Sequence, residues 1–124
     1  MKSEIYEVIV SQFAEDDLNE IIEYYFSLSE NYVEKLISEF EENVMSLQNH
    51  PKSGRIVPEL EKQGILQYRE LIQGYYRIVY EISDDKVIVH TIIDGRRNFE
   101  DIIISKLSRY YVKSHNTYKA PTCQ

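Results

Sequence analysis

The feature that most constrains this chain is a change of hydrophobic period near its middle. Before residue 50 the apolar side chains recur every three or four residues, as on helices; from residue 66 they alternate at the two-residue spacing of strands. Phe13, Leu18, Ile21, Ile22, Tyr25 and Phe26 mark a first helix. Ser11 supplies its capping hydroxyl, and Glu15, Asp16 and Asp17 suit the positive end of its dipole. Ser29-Glu30-Asn31 interrupts the stripe, which Val33, Leu36, Ile37, Phe40, Val44 and Leu47 resume, with Glu34, Glu39, Glu41 and Glu42 mostly on the other side. The two helices form an αα-hairpin.

His50-Pro51-Lys52-Ser53-Gly54-Arg55 stops the second helix, since proline cannot continue it and glycine frees the turn, and Pro58 and Gly64 extend this linker. Strands are expected over residues 67–72, 75–82 and 87–93, with turns at Gly74 and at Ser83-Asp84-Asp85-Lys86. Residues 4–10 read as a further, N-terminal strand, with Tyr6, Val8 and Val10 on one face and Ile5 and Ile9 on the other. Asn98 opens a last amphipathic helix through Phe99, Ile102, Ile103 and Leu107. The order β-α-α-β-β-β-α predicts an α+β fold in which the first strand joins an antiparallel meander. The helical hairpin covers one face of that sheet, and the other face is left available. Residues 1–108 make the one domain expected, and residues 109–124, without apolar period, a loose tail.

A chain of 124 residues with 43% hydrophobic content supports a single core and leaves no room for a second catalytic domain. Its apolar runs are strand-sized, and Met1-Lys2-Ser3-Glu4 lacks the apolar stretch of a signal peptide, so a soluble, cytoplasmic protein without a membrane partner is expected. Cys123 has no disulfide partner and no cluster for a metal. The net charge of -7 is unevenly spread: residues 1–50 hold 12 acids against Lys2 and Lys35, whereas residues 51–124 carry +3 and all six arginines. Contact with phosphate or carboxylate is therefore expected from the later part.

If Asp84-Asp85 is a two-residue loop, Ser83 faces Lys86, Val79 faces His90 and Arg77 faces Ile92. Ile78, Tyr80, Ile82, Val87, Val89 and Thr91 then meet the helical hairpin, while Tyr75, Arg77, Glu81 and His90 share the opposite face. An arginine diagonal to a histidine on an open sheet suits phosphate, because arginine stabilises developing negative charge and histidine titrates near neutrality. The alternatives are cross-strand packing for His90 and a pair with Glu81 for Arg77. Gly95-Arg96-Arg97 at the end of the last strand is an anion-binding candidate, or else balances Asp94, Glu100 and Asp101. The tyrosines Tyr24, Tyr25, Tyr68, Tyr75, Tyr76, Tyr80, Tyr110 and Tyr111 suit core edges or partner interfaces. No Gly-rich phosphate loop, HExxH, CxxC pair or GxSxG elbow is present, so no metal, cofactor or serine-hydrolase chemistry is expected.

Taken in order, Pro51-Lys52-Ser53-Gly54-Arg55-Ile56-Val57-Pro58-Glu59-Leu60, Tyr68-Arg69-Glu70-Leu71, Tyr76-Arg77-Ile78-Val79-Tyr80 and Gly95-Arg96-Arg97 strongly resemble the RelE/ParE toxin superfamily of type II toxin-antitoxin systems. With the helical hairpin, the resemblance covers roughly residues 4–107. It implies a toxin whose partner is a cognate antitoxin, and two modes of action. RelE-like members cleave messenger RNA on the ribosome without metal; ParE-like members inhibit DNA gyrase. In the nuclease version Arg77 and Arg97 match basic catalytic positions and His90 assists proton transfer. Glu70 stands where the resemblance expects a lysine, however, and the late catalytic tyrosine falls near Ile103. The whole pattern looks more ParE-like, which implies a non-enzymatic inhibitor with Arg69, Arg77, Arg96 and Arg97 on its target- or anion-binding surface. A nontoxic relative that keeps only antitoxin binding is the third reading.

Overall fold

In the computed structural model, which describes residues 5–116, one serine turns the first strand into the first helix. Strand β1 is Glu7–Val10 and helix α1 is Gln12–Phe26. Between them the Ser11 backbone N–H donates to the Val89 carbonyl at 3.0 Å. Its hydroxyl accepts from the Ala14 N–H and donates to the His90 carbonyl, both at 3.1 Å. The residue thereby ends a β-ladder and caps a helix, satisfying donors that would otherwise be orphaned. Ser29 caps helix α2, Glu30–Ser46, in the same way, accepting from the Tyr32 N–H at 3.1 Å.

The linker after α2 is more ordered than its composition implied. It contains a two-residue strand β2, Arg55–Ile56, and a single helical turn α3, Pro58–Glu61. Pro58 opens α3, where its fixed φ and missing N–H are no handicap. The meander follows as β3, Tyr68–Gln73, β4, Tyr76–Ser83, and β5, Lys86–Asp94. Its two turns are entered through left-handed residues, Gly74 at φ 59° and Asp84 at φ 56°. The sheet runs β1-β5-β4-β3-β2, with β1 parallel to β5 and the other pairs antiparallel.

The expected register holds from Ser83↔Lys86 to Tyr80↔Val89 and then shifts by one. Val79 pairs with Thr91 rather than His90, and Arg77 with Ile93 rather than Ile92. A β-bulge at His90 inserts one extra residue, which reverses the alternation beyond it. Ile92, not Thr91, therefore joins Val87, Val89, Ile78 and Tyr80 against the buried side of the hairpin, with Leu36, Phe40, Val44 and Leu47.

The opposite face is not left available. Helix α4, Phe99–Asn116, and the turn α3 lay Phe99, Ile103, Val57 and Leu60 over Val79 and Ile93, with Tyr68, Ile102 and Leu107 at the margin. Phe99, Ile102, Ile103 and Leu107 are the apolar stripe that α4 had to bury, and the sheet is the surface that buries it. The expected loose tail is helical as far as Asn116, while residues 1–4 and 117–124, including Cys123, lie outside the described residues. Among the described residues no helix is long and apolar enough to cross a membrane, and no cluster of acids, histidines or cysteines is grouped to hold a metal.

Candidate functional site

Arg77 lies on β4 with its side chain turned toward α3 and α4. Its Nε and Nη2 donate to the two oxygens of Glu70 at 2.7 and 2.9 Å, and its Nη1 and Nη2 to those of Glu59 at 3.1 and 2.7 Å. The guanidinium also lies 3.4 Å from the centroid of the Phe99 ring. Glu70, wholly buried, accepts a further bond from Arg55 Nε at 2.7 Å. Burial alone would lower the Arg77 pKa, but the hydrogen bonds it donates to Glu59 and Glu70 outweigh it and hold the guanidinium charged. Gly95 completes the site: a Cβ there would fall 2.8 Å from Arg77 Cδ. The Arg77 and Gly95 motifs thus meet, and what they build is a junction of β3, β4, α3 and α4 rather than an open anion site.

The other sequence candidates are dispersed. Arg69 donates to the Gly54 carbonyl at 2.7 Å and supports the loop after α2. His90 bonds Glu81 at 2.9 Å and meets the Tyr68 ring edge-on at 5.6 Å. It shares a sheet face with Arg77, but Glu81 is four residues along β4 from Arg77, about 13 Å at the rise of a strand. The pair therefore does not converge on one phosphate. Arg96 is exposed, bonds Asp94 through Nε and Nη2 at 3.0 and 2.8 Å, and stacks 4.0 Å from the Tyr75 ring centroid. The Asp94 contact raises the Arg96 pKa, and the same Arg96 bond lowers that of Asp94. Arg97 is exposed, and makes no ion pair with a described side chain.

A cleft of about 490 Å³ opens between α1 and α4 along β5, beyond the point where β1 stops. Tyr24, Tyr25 and Tyr76 line it with Asp94, Arg96 and Arg97. Burial first, and then the neighbouring Tyr25, raise the Tyr76 pKa, so its phenol stays protonated. At the inner end Asp17, buried, accepts from Thr91 Oγ1 at 2.6 Å, the Ile92 N–H at 3.2 Å and Lys106 Nζ at 2.7 Å. Asp17 replaces the missing strand neighbour of β5 and ties α4 to α1. Reading Asp17 as a first-turn acid missed this role. The available signal was its place at helical spacing between Phe13 and Ile21, on the apolar stripe itself.

Glu70 and Ile103, the two departures noted in the sequence, are both core residues: Glu70 sits in the Arg77 junction and Ile103 in the cluster beneath α4. No curated protein sequence matches the chain. Two solved structures share its fold at 18% identity. A chain of the toxin-antitoxin complex RelBE2 from Mycobacterium tuberculosis matches with a TM-score of 0.51, over 75% of this chain and 94% of that one. A chain of the chromosomal ParDE system from P. aeruginosa matches with a TM-score of 0.58, over 73% and 96%. The family model for the ParE toxin of type II toxin-antitoxin systems matches residues 8–99, a span from β1 to the first residue of α4 that includes the whole Arg77 junction. The chain belongs to the ParE toxin family of type II toxin-antitoxin systems.

Proposed function

We propose that the chain is the toxin of a type II pair, silenced by a cognate antitoxin, and that its cytoplasmic target is DNA gyrase. The closed ion-pair network around Arg77 carries this reading. Metal-free cleavage of a phosphodiester needs cations free to meet developing charge and a proton-transfer group at the same phosphate. Here the Arg77 donors are occupied by Glu59 and Glu70, and His90 sits with Glu81 at the other end of the face. An inhibitor that acts by binding needs no such convergence. It needs an accessible surface, and exposed Arg96, Arg97 and Tyr75 provide one beside the cleft. That the fold is shared with chains of the RelBE2 and ParDE toxin-antitoxin complexes supports an antitoxin partner.

The test is induction in cells with and without the protein encoded by the adjacent gene, following growth, plasmid supercoiling and messenger RNA ends. Growth arrest with altered supercoiling and intact transcripts, relieved by the neighbour, is the expected result. New ribosome-dependent transcript ends would replace gyrase by messenger RNA, and no arrest would remove both toxic readings.

A further inference from the structure

The turn of the helical hairpin presents large apolar side chains to solvent, although the same helices bury a full stripe on their other side. Tyr24 is 66% exposed, Phe26 55%, Leu28 66% and Tyr32 40%. The rings connect: Tyr24 meets Tyr25 edge-on at 4.8 Å, and Tyr25 meets Tyr32 at 4.7 Å. Scattered apolar residues are ordinary on a surface, but a run of this kind around one turn marks a docking face. Its charge on the two helices is acidic, with Arg96, Arg97 and Lys106 bordering it only on the cleft side, where Arg96 is already paired with Asp94. Glu20, Glu23, Glu30 and Glu34 are exposed on the same two helical ends, and Lys35 is the only lysine or arginine of α1 and α2.

We infer that this end of the hairpin receives a basic segment of the cognate antitoxin, one that places apolar side chains on Tyr24, Phe26 and Leu28 and lysine or arginine against the glutamates. The inference rests on the antitoxin reading above and adds to it the contact surface and the chemistry of the partner. Complementary charge supplies the choice of partner segment, because an acidic segment would meet like charge at every one of these glutamates. Exposed tyrosine rings also hold cations on their faces, and Arg96 over Tyr75 already does so within the chain.

The probe is the protein encoded beside the chain, purified and titrated calorimetrically against the wild-type chain, Glu20→Lys/Glu23→Lys and Tyr24→Ser/Phe26→Ser. All four positions are exposed, so thermal melting of the variants should match wild type and serves as the check on folding. Both pairs should weaken binding by about tenfold or more, with the charge effect shrinking as salt rises. Binding within about twofold of wild type for both pairs overturns the inference. Loss only in the apolar pair, or tighter binding after charge reversal, overturns the basic character of the segment. Absence of binding by the wild-type chain overturns the antitoxin reading itself, and this inference with it.

Discussion

Glu70 and Arg77 form a buried fork, with Arg77 Nε and Nη2 set 2.7 and 2.9 Å from the two carboxylate oxygens. Removing one member leaves the other with a single charged partner, Glu59 for Arg77 and Arg55 for Glu70, where complete loss of compensation in a buried pair costs about 3–5 kcal/mol. Glu70→Gln and Arg77→Met should both lower the unfolding free energy, by about 3 kcal/mol, the low end of that range, because Glu59 still holds the arginine and Arg55 the glutamate. Arg97→Ala, at an exposed position, should shift stability by about 0.5 kcal/mol or less. Urea denaturation separates the two classes. A loss of toxicity in Arg97→Ala then reports function, whereas a loss in Arg77→Met reports unfolding.

Gly54 lies beneath Tyr80. The Tyr80 hydroxyl accepts the Gly54 N–H at 3.0 Å and donates to the Pro51 carbonyl at 2.7 Å, binding the loop after α2 to the centre of β4. A Cβ at Gly54 would fall 2.7 Å from that hydroxyl and also press on the Glu70 carbonyl. Gly54→Ala should therefore destabilise the protein by about 1–3 kcal/mol through overpacking. Tyr80→Phe keeps the ring but leaves the Gly54 N–H unbonded, with an expected loss of about 1–3 kcal/mol. Thermal melting of both variants checks the pair, and wild-type melting of Gly54→Ala would refute the tight approach.

Asp84 adopts φ 56°, where a Cβ crowds the following carbonyl oxygen. Glycine relieves that crowding but adds freedom to the unfolded chain. The crowding is the larger effect, so Asp84→Gly should raise stability by about 0.5–1 kcal/mol. Asp84→Val should lower it, since a β-branched residue tolerates this region poorly. Denaturation midpoints measured side by side decide the order.

The bond from Arg77 lowers the pKa of Glu59 below its ordinary value of 4.5, against the opposing effect of burial. A carboxylate depressed on folding adds stability that is complete above its unfolded value and is lost as pH falls through the folded one. Asp94, lowered by Arg96 from 3.8, acts in the same direction at more acidic pH. The urea midpoint should thus decline once pH drops below 4.5, and Glu59→Gln should flatten the upper part of that decline. An unchanged slope in Glu59→Gln would show that Arg77 does not hold that carboxylate.

Elements were legible where the determinant is local. The stripes at Leu36, Phe40 and Val44, the cap at Ser11 and the two-residue turn at Asp84-Asp85 depend on neighbours a few positions away, and the sequence carries them openly; Ser29 read as a break between helices and is also the cap of α2. The ordered motifs around Gly54, Arg77 and Gly95 likewise identified the family before any contact was known. What those residues do is a different matter. A guanidinium reads the same in sequence whether it faces phosphate or two carboxylates, and Glu59 and Glu70 reach Arg77 only once α3 and β3 have packed.

The bulge at His90 is equally hidden in the sequence. Alternation carried correctly from Asp84 to Tyr80, then failed by one residue, which placed Ile92 rather than Thr91 on the hairpin face and turned Thr91 to Asp17. Period and turn chemistry, both short-range, set the helices, the strands and their order. The occupancy of the second face, the closure of the arginine site and the register beyond the bulge were decided by side chains far apart in the chain, whose burial and charge compensation exist only in the folded molecule.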